Sequence, residues 1–156
     1  TRALIRAIVA GAGQGPASSG LAAYFSPVAA ADIVDAYVRA LPGSTRRLGP
    51  AQWGVAVESE DEAGWPLDIG IRIADGLLRA QARVAAGHER HDPWVFLHWN
   101  RQTRLVRFGC ARNGDIWIHG DLPVAAVDER AVDRLLGLVA EGAAVGRRYA
   151  ARSRSR

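Results

Sequence analysis

Asp92-Pro93-Trp94-Val95-Phe96-Leu97-His98-Trp99-Asn100 is the stretch on which the fold turns. Six apolar or aromatic residues with one histidine among them suit a buried strand as well as a short helix. The flanks favour the helix: Asp-Pro is a helix start, and Asn100 is a residue that tolerates the left-handed conformation at a helix end. A strand follows over 104–112. Asn113-Gly114 is a hairpin signal of the type I′ kind, which needs φ > 0 at both positions. The return strand begins at Asp115-Ile116-Trp117-Ile118-His119-Gly120, and Leu122-Pro123 ends it. Asp128 then caps a helix whose Val132, Leu135, Leu136 and Val139 fall at i, i+3, i+4, i+7.

Upstream, Ser26-Pro27 opens a helix with Ile33, Val34, Tyr37, Val38 and Leu41 as its buried stripe, stopped by Pro42-Gly43. Three alternating segments follow. They carry Trp53, Val55 and Val57; Leu67, Ile69, Ile71 and Ile73; and Leu78, Ala80, Ala82 and Val84 on their apolar faces, with a turn at Asp75-Gly76. Tight turns imply antiparallel neighbours. The expected class is α+β, an antiparallel sheet in the order α-β-β-β-α-β-β-α with helices packed on it. The domain spans 26–146. Residues 1–25 form an N-terminal segment with a Gly-rich linker, and 147–156 an Arg-rich C-terminal tail.

Composition bounds the function classes. The chain has 156 residues, 49% hydrophobic and 23% charged, enough for one domain with a sizeable core. No apolar run approaches the roughly 20 residues of a membrane span, and a cytoplasmic protein is expected. One cysteine, Cys110, excludes an intrachain disulfide. The net charge of +4 is a tail effect: Arg147, Arg148, Arg152, Arg154 and Arg156 lie beyond Gly146, while in residues 1–146 fifteen arginines meet sixteen acidic residues.

Candidate chemistry is sparse. Ile8–Gly15 looks like a strand entering a glycine loop, but Pro16 stands where the dinucleotide fingerprint needs glycine, so a linker is the better reading. His88 and His91 lack further ligands at zinc-site spacing, and the acidic run 58–62 lacks the EF-hand pattern. No metal or cofactor is expected. His98 and His119 show no orienting partner, and Cys110 alternates with Val106 and Phe108 as a packing residue. The tryptophans stand out, five in 156 residues. Each is either core or interface, and Trp94, Trp99, Trp117 with Phe96 and Leu97 are the candidate partner or dimer surface. The arginines after Gly146 either continue the last helix or form a solvated tail, the reading favoured here; their clustering near Tyr149 gives a second reading, contact with nucleic acid.

The element order, with Leu97-His98-Trp99-Asn100, Arg107-Phe108, the Asn113–Ile118 hairpin, Leu122-Pro123 and the helix of Val132, Leu135 and Leu136, resembles the type III secretion chaperone-like superfamily. Within it the chain is similar to YbjN-type and related actinobacterial chaperone-like domains, over about residues 26–146. The resemblance implies a non-enzymatic module that binds a client or regulatory protein, as a homodimer. Secretion chaperones are usually acidic, and this chain departs from them there.

Overall fold

The computed structural model describes residues 27–58, 66–89 and 91–154. The expected Ser26 cap, the segment 1–25, residues 59–62 of the acidic run and Arg156 lie outside them. Helix α1 spans Pro27–Ala40, and strands β1 to β4 span Ser44–Gly49, Gln52–Val57, Leu67–Ala74 and Leu77–Ala85. Helix α2 is Pro93–Trp99, strands β5 and β6 are Val106–Cys110 and Ile116–Pro123, and α3 runs from Glu129 to Arg154. Every pairing is antiparallel, in the order β1-β2-β3-β4-β6-β5. The α+β class stands, with one strand more than the sequence reading.

That strand is β1, Ser44-Thr-Arg-Arg-Leu-Gly49, with no residue fully buried. As an edge strand it has no apolar face to alternate, so periodicity cannot find it. The hairpin turns also sort themselves differently. Asp75 and Gly76 both have positive φ (52° and 74°), the type I′ signature. At the other hairpin only Gly114 does (86°), and Gly114 N–H bonds to Ala111 O while Ala111 N–H bonds to Asp115 O. This is a three-residue loop, a type I turn closed by a left-handed glycine.

The helices cover one face of the sheet. Val34, Tyr37 and Val38 of α1 and Val132, Leu135, Leu136, Val139 and Ala143 of α3 bury against Trp53, Leu67, Ile69, Leu78, Ala80, Ile116 and Ile118. Tyr37 Oη donates to Asp133 Oδ1 at 2.6 Å and ties α1 to α3; burial first, then this carboxylate, push the phenol well above its ordinary value. Asp128 Oδ1 accepts from Ala131 N–H at 2.7 Å, the expected cap of α3.

The helix does not stop at Gly146. It continues through Arg154, burying Ala150 and packing Tyr149 on the core. Arg147 is half-buried and donates to Pro66 O and Arg83 O, holding the helix end against β3 and β4. The solvated-tail reading is corrected for 147–154. Carbonyl partners distant in sequence leave no mark in a local charge pattern. No helix among the described residues is long and apolar enough to cross a membrane.

Two carboxylates lock loops to elements. Asp35 accepts from Trp53 Nε1 at 2.8 Å, from Arg39 and from Arg47 at 3.0 Å, and these donors, Trp53 foremost, lower its pKa. Asp115 accepts from Gly87 N–H at 2.7 Å, the main reason its pKa is lowered. A depressed folded pKa contributes stability that is present above the ordinary value near 3.8 and is lost as pH falls through the folded one. Urea midpoints should therefore hold steady from neutral pH to about 4 and then fall, and Asp115→Asn should make that acid limb shallower.

Candidate functional site

Helix α2 decides where the aromatic residues go. Asp92 Oδ1 accepts from Trp94 N–H at 2.9 Å and Pro93 sits in the first turn, so the helix starts as its sequence implies. Its seven residues point three ways. Phe96 is fully buried, ringed by Trp99, Phe108 and Tyr149 with centroids 5.5, 5.5 and 5.3 Å away. Trp94 and Leu97, at i and i+3, face outward and are 74% and 39% exposed. Trp99 turns toward a groove between β5, the loop after α2, and α3.

That groove encloses about 510 Å³ and is lined by Trp99, Thr103, Val106, Phe108, Leu138 and Val145, with Arg104, Arg134 and Glu141 also in its wall. Val145 is 40% exposed, an apolar side chain left on a helix whose other stripe is core. Leu138, Gly142, Val145 and Tyr149 fall at i, i+4, i+7, i+11, a second stripe readable in the sequence beside the Leu135 and Leu136 one.

The five expected surface residues therefore do not form one surface. Phe96 is core, because the aromatic cluster needs a ring at its centre. Trp117 lies on the opposite face of the sheet, since Ile116 and Ile118 on either side of it are buried under α3. Trp94, Leu97 and Trp99 remain on the helix side. Cys110 is exposed at the strand end, not packed as expected, because β5 runs past the cover of α3. His98 is exposed and His119 half-buried on the open sheet face. Among the described residues no three histidine, cysteine, aspartate or glutamate side chains gather as a metal site.

Asn100 has a role that its sequence position does not reveal. Its backbone is right-handed (φ −58°), not the left-handed helix end expected. Its side-chain amide pairs with the β5 backbone: Nδ2 donates to Phe108 O at 2.9 Å and Oδ1 accepts from Phe108 N–H at 2.7 Å. One asparagine thus stands in for a neighbouring strand and blunts the β5 edge. Asn100→Ala leaves both Phe108 groups without this partner and should cost about 1–3 kcal/mol, read as a lowered denaturant midpoint with increased aggregation on storage.

The comparisons with known proteins converge on this region and on the whole architecture. Residues 93–145, from α2 through most of α3, match the YbjN family, described as "Putative bacterial sensory transduction regulator". The fold matches that of the Yersinia pestis type III secretion chaperone SycH, solved in complex with a stable fragment of YscM2. The two are 14% identical over 74% of this chain and 98% of SycH, with a TM-score of 0.50. Residues 93–145 thus resemble YbjN, within a fold like that of a type III secretion chaperone. No curated protein matches the sequence. The matched segment contains α2, the Asn100 clamp, β5, β6 and the groove-lining positions Leu138 and Val145, so the residues lining the groove all come from it.

Proposed function

We propose that this domain is a non-enzymatic, chaperone- or adaptor-like module that binds a client or partner protein through its helix side, as a homodimer. The observation that carries the reading is the apolar groove of Trp99, Val106, Leu138 and Val145 beside an outward-facing Trp94-Leu97 pair. Exposed apolar side chains gathered on one side of a domain mark interaction surfaces, and tryptophan is the commonest anchor in them. The likeness to a chaperone solved with a protein fragment supports the same reading.

The test compares the wild-type chain with Val145→Arg and Trp94→Ala. Both sites are exposed, so both variants should keep the wild-type circular dichroism. Sedimentation over a range of concentrations should show a dimer that Val145→Arg dissociates, and partner capture from native lysate with nuclease present should lose its protein with either variant. A wild-type monomer that recovers the same proteins as both variants would refute the proposal.

A further inference from the structure

Among the described residues the second face of the sheet carries no helix. Strand alternation puts Gln52 and Gly54, Asp68, Gly70 and Arg72, Arg79, Gln81 and Arg83, Trp117, His119 and Asp121, and Arg107 and Gly109 on it, in aligned cross-strand rows. Arg46 of β1 joins them opposite Gly54. One row reads Arg46, Gly54, Gly70, Gln81, His119, Arg107 from edge to edge.

Three features of this face point to one kind of ligand. The first is charge. Arg46, Arg72, Arg83 and Arg107 form no ion pair among the described residues, while Asp121 is held by Arg79 at 2.7 and 3.0 Å. Among the described residues Asp68 is the carboxylate that lines the depressions on this face, with Asp115 near Arg83 at the strand end, so arginine predominates and an anion is the complementary occupant. The second is shape. Two adjoining depressions of about 480 and 330 Å³ share Leu48, Gly70 and Gln81. They form one groove across the sheet. Gly70 lies in its floor with no atom closer than 3.9 Å to where a Cβ would stand, so a ligand can approach the backbone. The third is an aromatic ring: half-buried Trp117 lines the groove beside Arg83 and Arg147.

We propose that this open sheet face binds single-stranded nucleic acid. Arginines contact phosphates, the Trp117 ring offers a stacking surface, and Gln81, Gln52 and His119 face the bases. Six strands at about 4.8 Å spacing make a platform about 24 Å wide, room for several nucleotides but too broad for a major groove of about 12 Å. An acidic peptide is less well served. Extended peptides gain main-chain hydrogen bonds at a sheet edge, and the backbone groups in the middle of this sheet are already paired. The basic contact surface is thus the sheet, not a free C-terminal arm.

The test is fluorescence anisotropy of the full chain with labelled oligo(dT) and oligo(U), titrated with salt. Binding is expected, with log K falling by about 0.7 per phosphate contacted for each tenfold rise in salt. Arg46→Gln with Arg83→Gln should reduce that slope by about 1.4. Trp117→Ala should weaken binding about tenfold while leaving the slope alone. Arg130→Gln with Arg134→Gln, the same charge loss on the helix side, should change neither. Equal losses from both arginine pairs would mean charge alone and overturn the proposal. So would full displacement by polyglutamate with Trp117→Ala silent, which would mark a protein occupant, and so would no binding at low salt.

Discussion

Phe96→Ala should lower stability by about 3–5 kcal/mol, among the large losses expected from a single side chain in this domain. Phe96 is fully buried and is the one residue that touches Trp99, Phe108, Tyr149 and His91 together, each within ring-contact distance. These partners come from α2, β5, α3 and the segment before α2, so the ring joins four parts of the chain. Truncation leaves a cavity that four separate elements would have to close. Phe96→Leu retains most of the volume and should cost less than half as much. Guanidinium midpoints give the stability. Near-ultraviolet circular dichroism should flatten in Phe96→Ala as Trp99 and Tyr149 lose their fixed surroundings. The same loss should blur the groove, because Trp99 is held in its wall by this cluster.

Gly87→Ala should cost about 3 kcal/mol or more, for a reason of backbone and not of core. A Cβ at Gly87 would stand 2.0 Å from Asn113 O and 2.8 Å from Gly114 C and Cα. Neither contact is the yielding end of a side chain. The turn it strikes is pinned by its own hydrogen bonds and by Asp115, whose carboxylate takes the Gly87 N–H. Alanine must therefore push the β5–β6 turn away and break that bond. The control is Gly137→Ala, in the middle of α3, where a Cβ meets nothing within 4 Å. It should stabilise by about 0.8–1.0 kcal/mol through helix propensity. Opposite signs for the two glycine replacements would separate close approach from intrinsic preference.

Local signals in the sequence carried most of the framework. Asp92-Pro93 marked the start of α2, Asp128 that of α3, Asp75-Gly76 a hairpin, and alternation the apolar faces of β2, β3 and β4. What escaped depends on contacts between residues far apart in sequence. β1 lacks a buried face and becomes a strand only because β2 pairs with it. Arg147 looks like the first residue of a basic tail until Pro66 O and Arg83 O are brought beneath it. Asn100 looks like a helix terminator until Phe108 lies across from it. For the candidate surface, the tryptophans were the right residue type but identity could not say which face each takes. Phe96 and Trp117 belong to the core and to the other side of the sheet. The basic sheet face escaped because its arginines are scattered over four strands, where no run of charge appears.

The placement of β6 between β4 and β5 has a consequence for a chain emerging from the ribosome. The β1–β4 meander can zip as soon as it is made, each strand beside the one before it. Its last strand then waits, since β4 residues 77–85 pair with Pro123 back to Ile116, none of which yet exists. At synthesis rates of roughly 5–20 residues per second the nascent protein carries a bare strand edge, with Leu78, Ala80 and Ala82 still uncovered by α3, for on the order of seconds. The β4 edge is thus the most hazardous surface during birth and the most protected one afterwards.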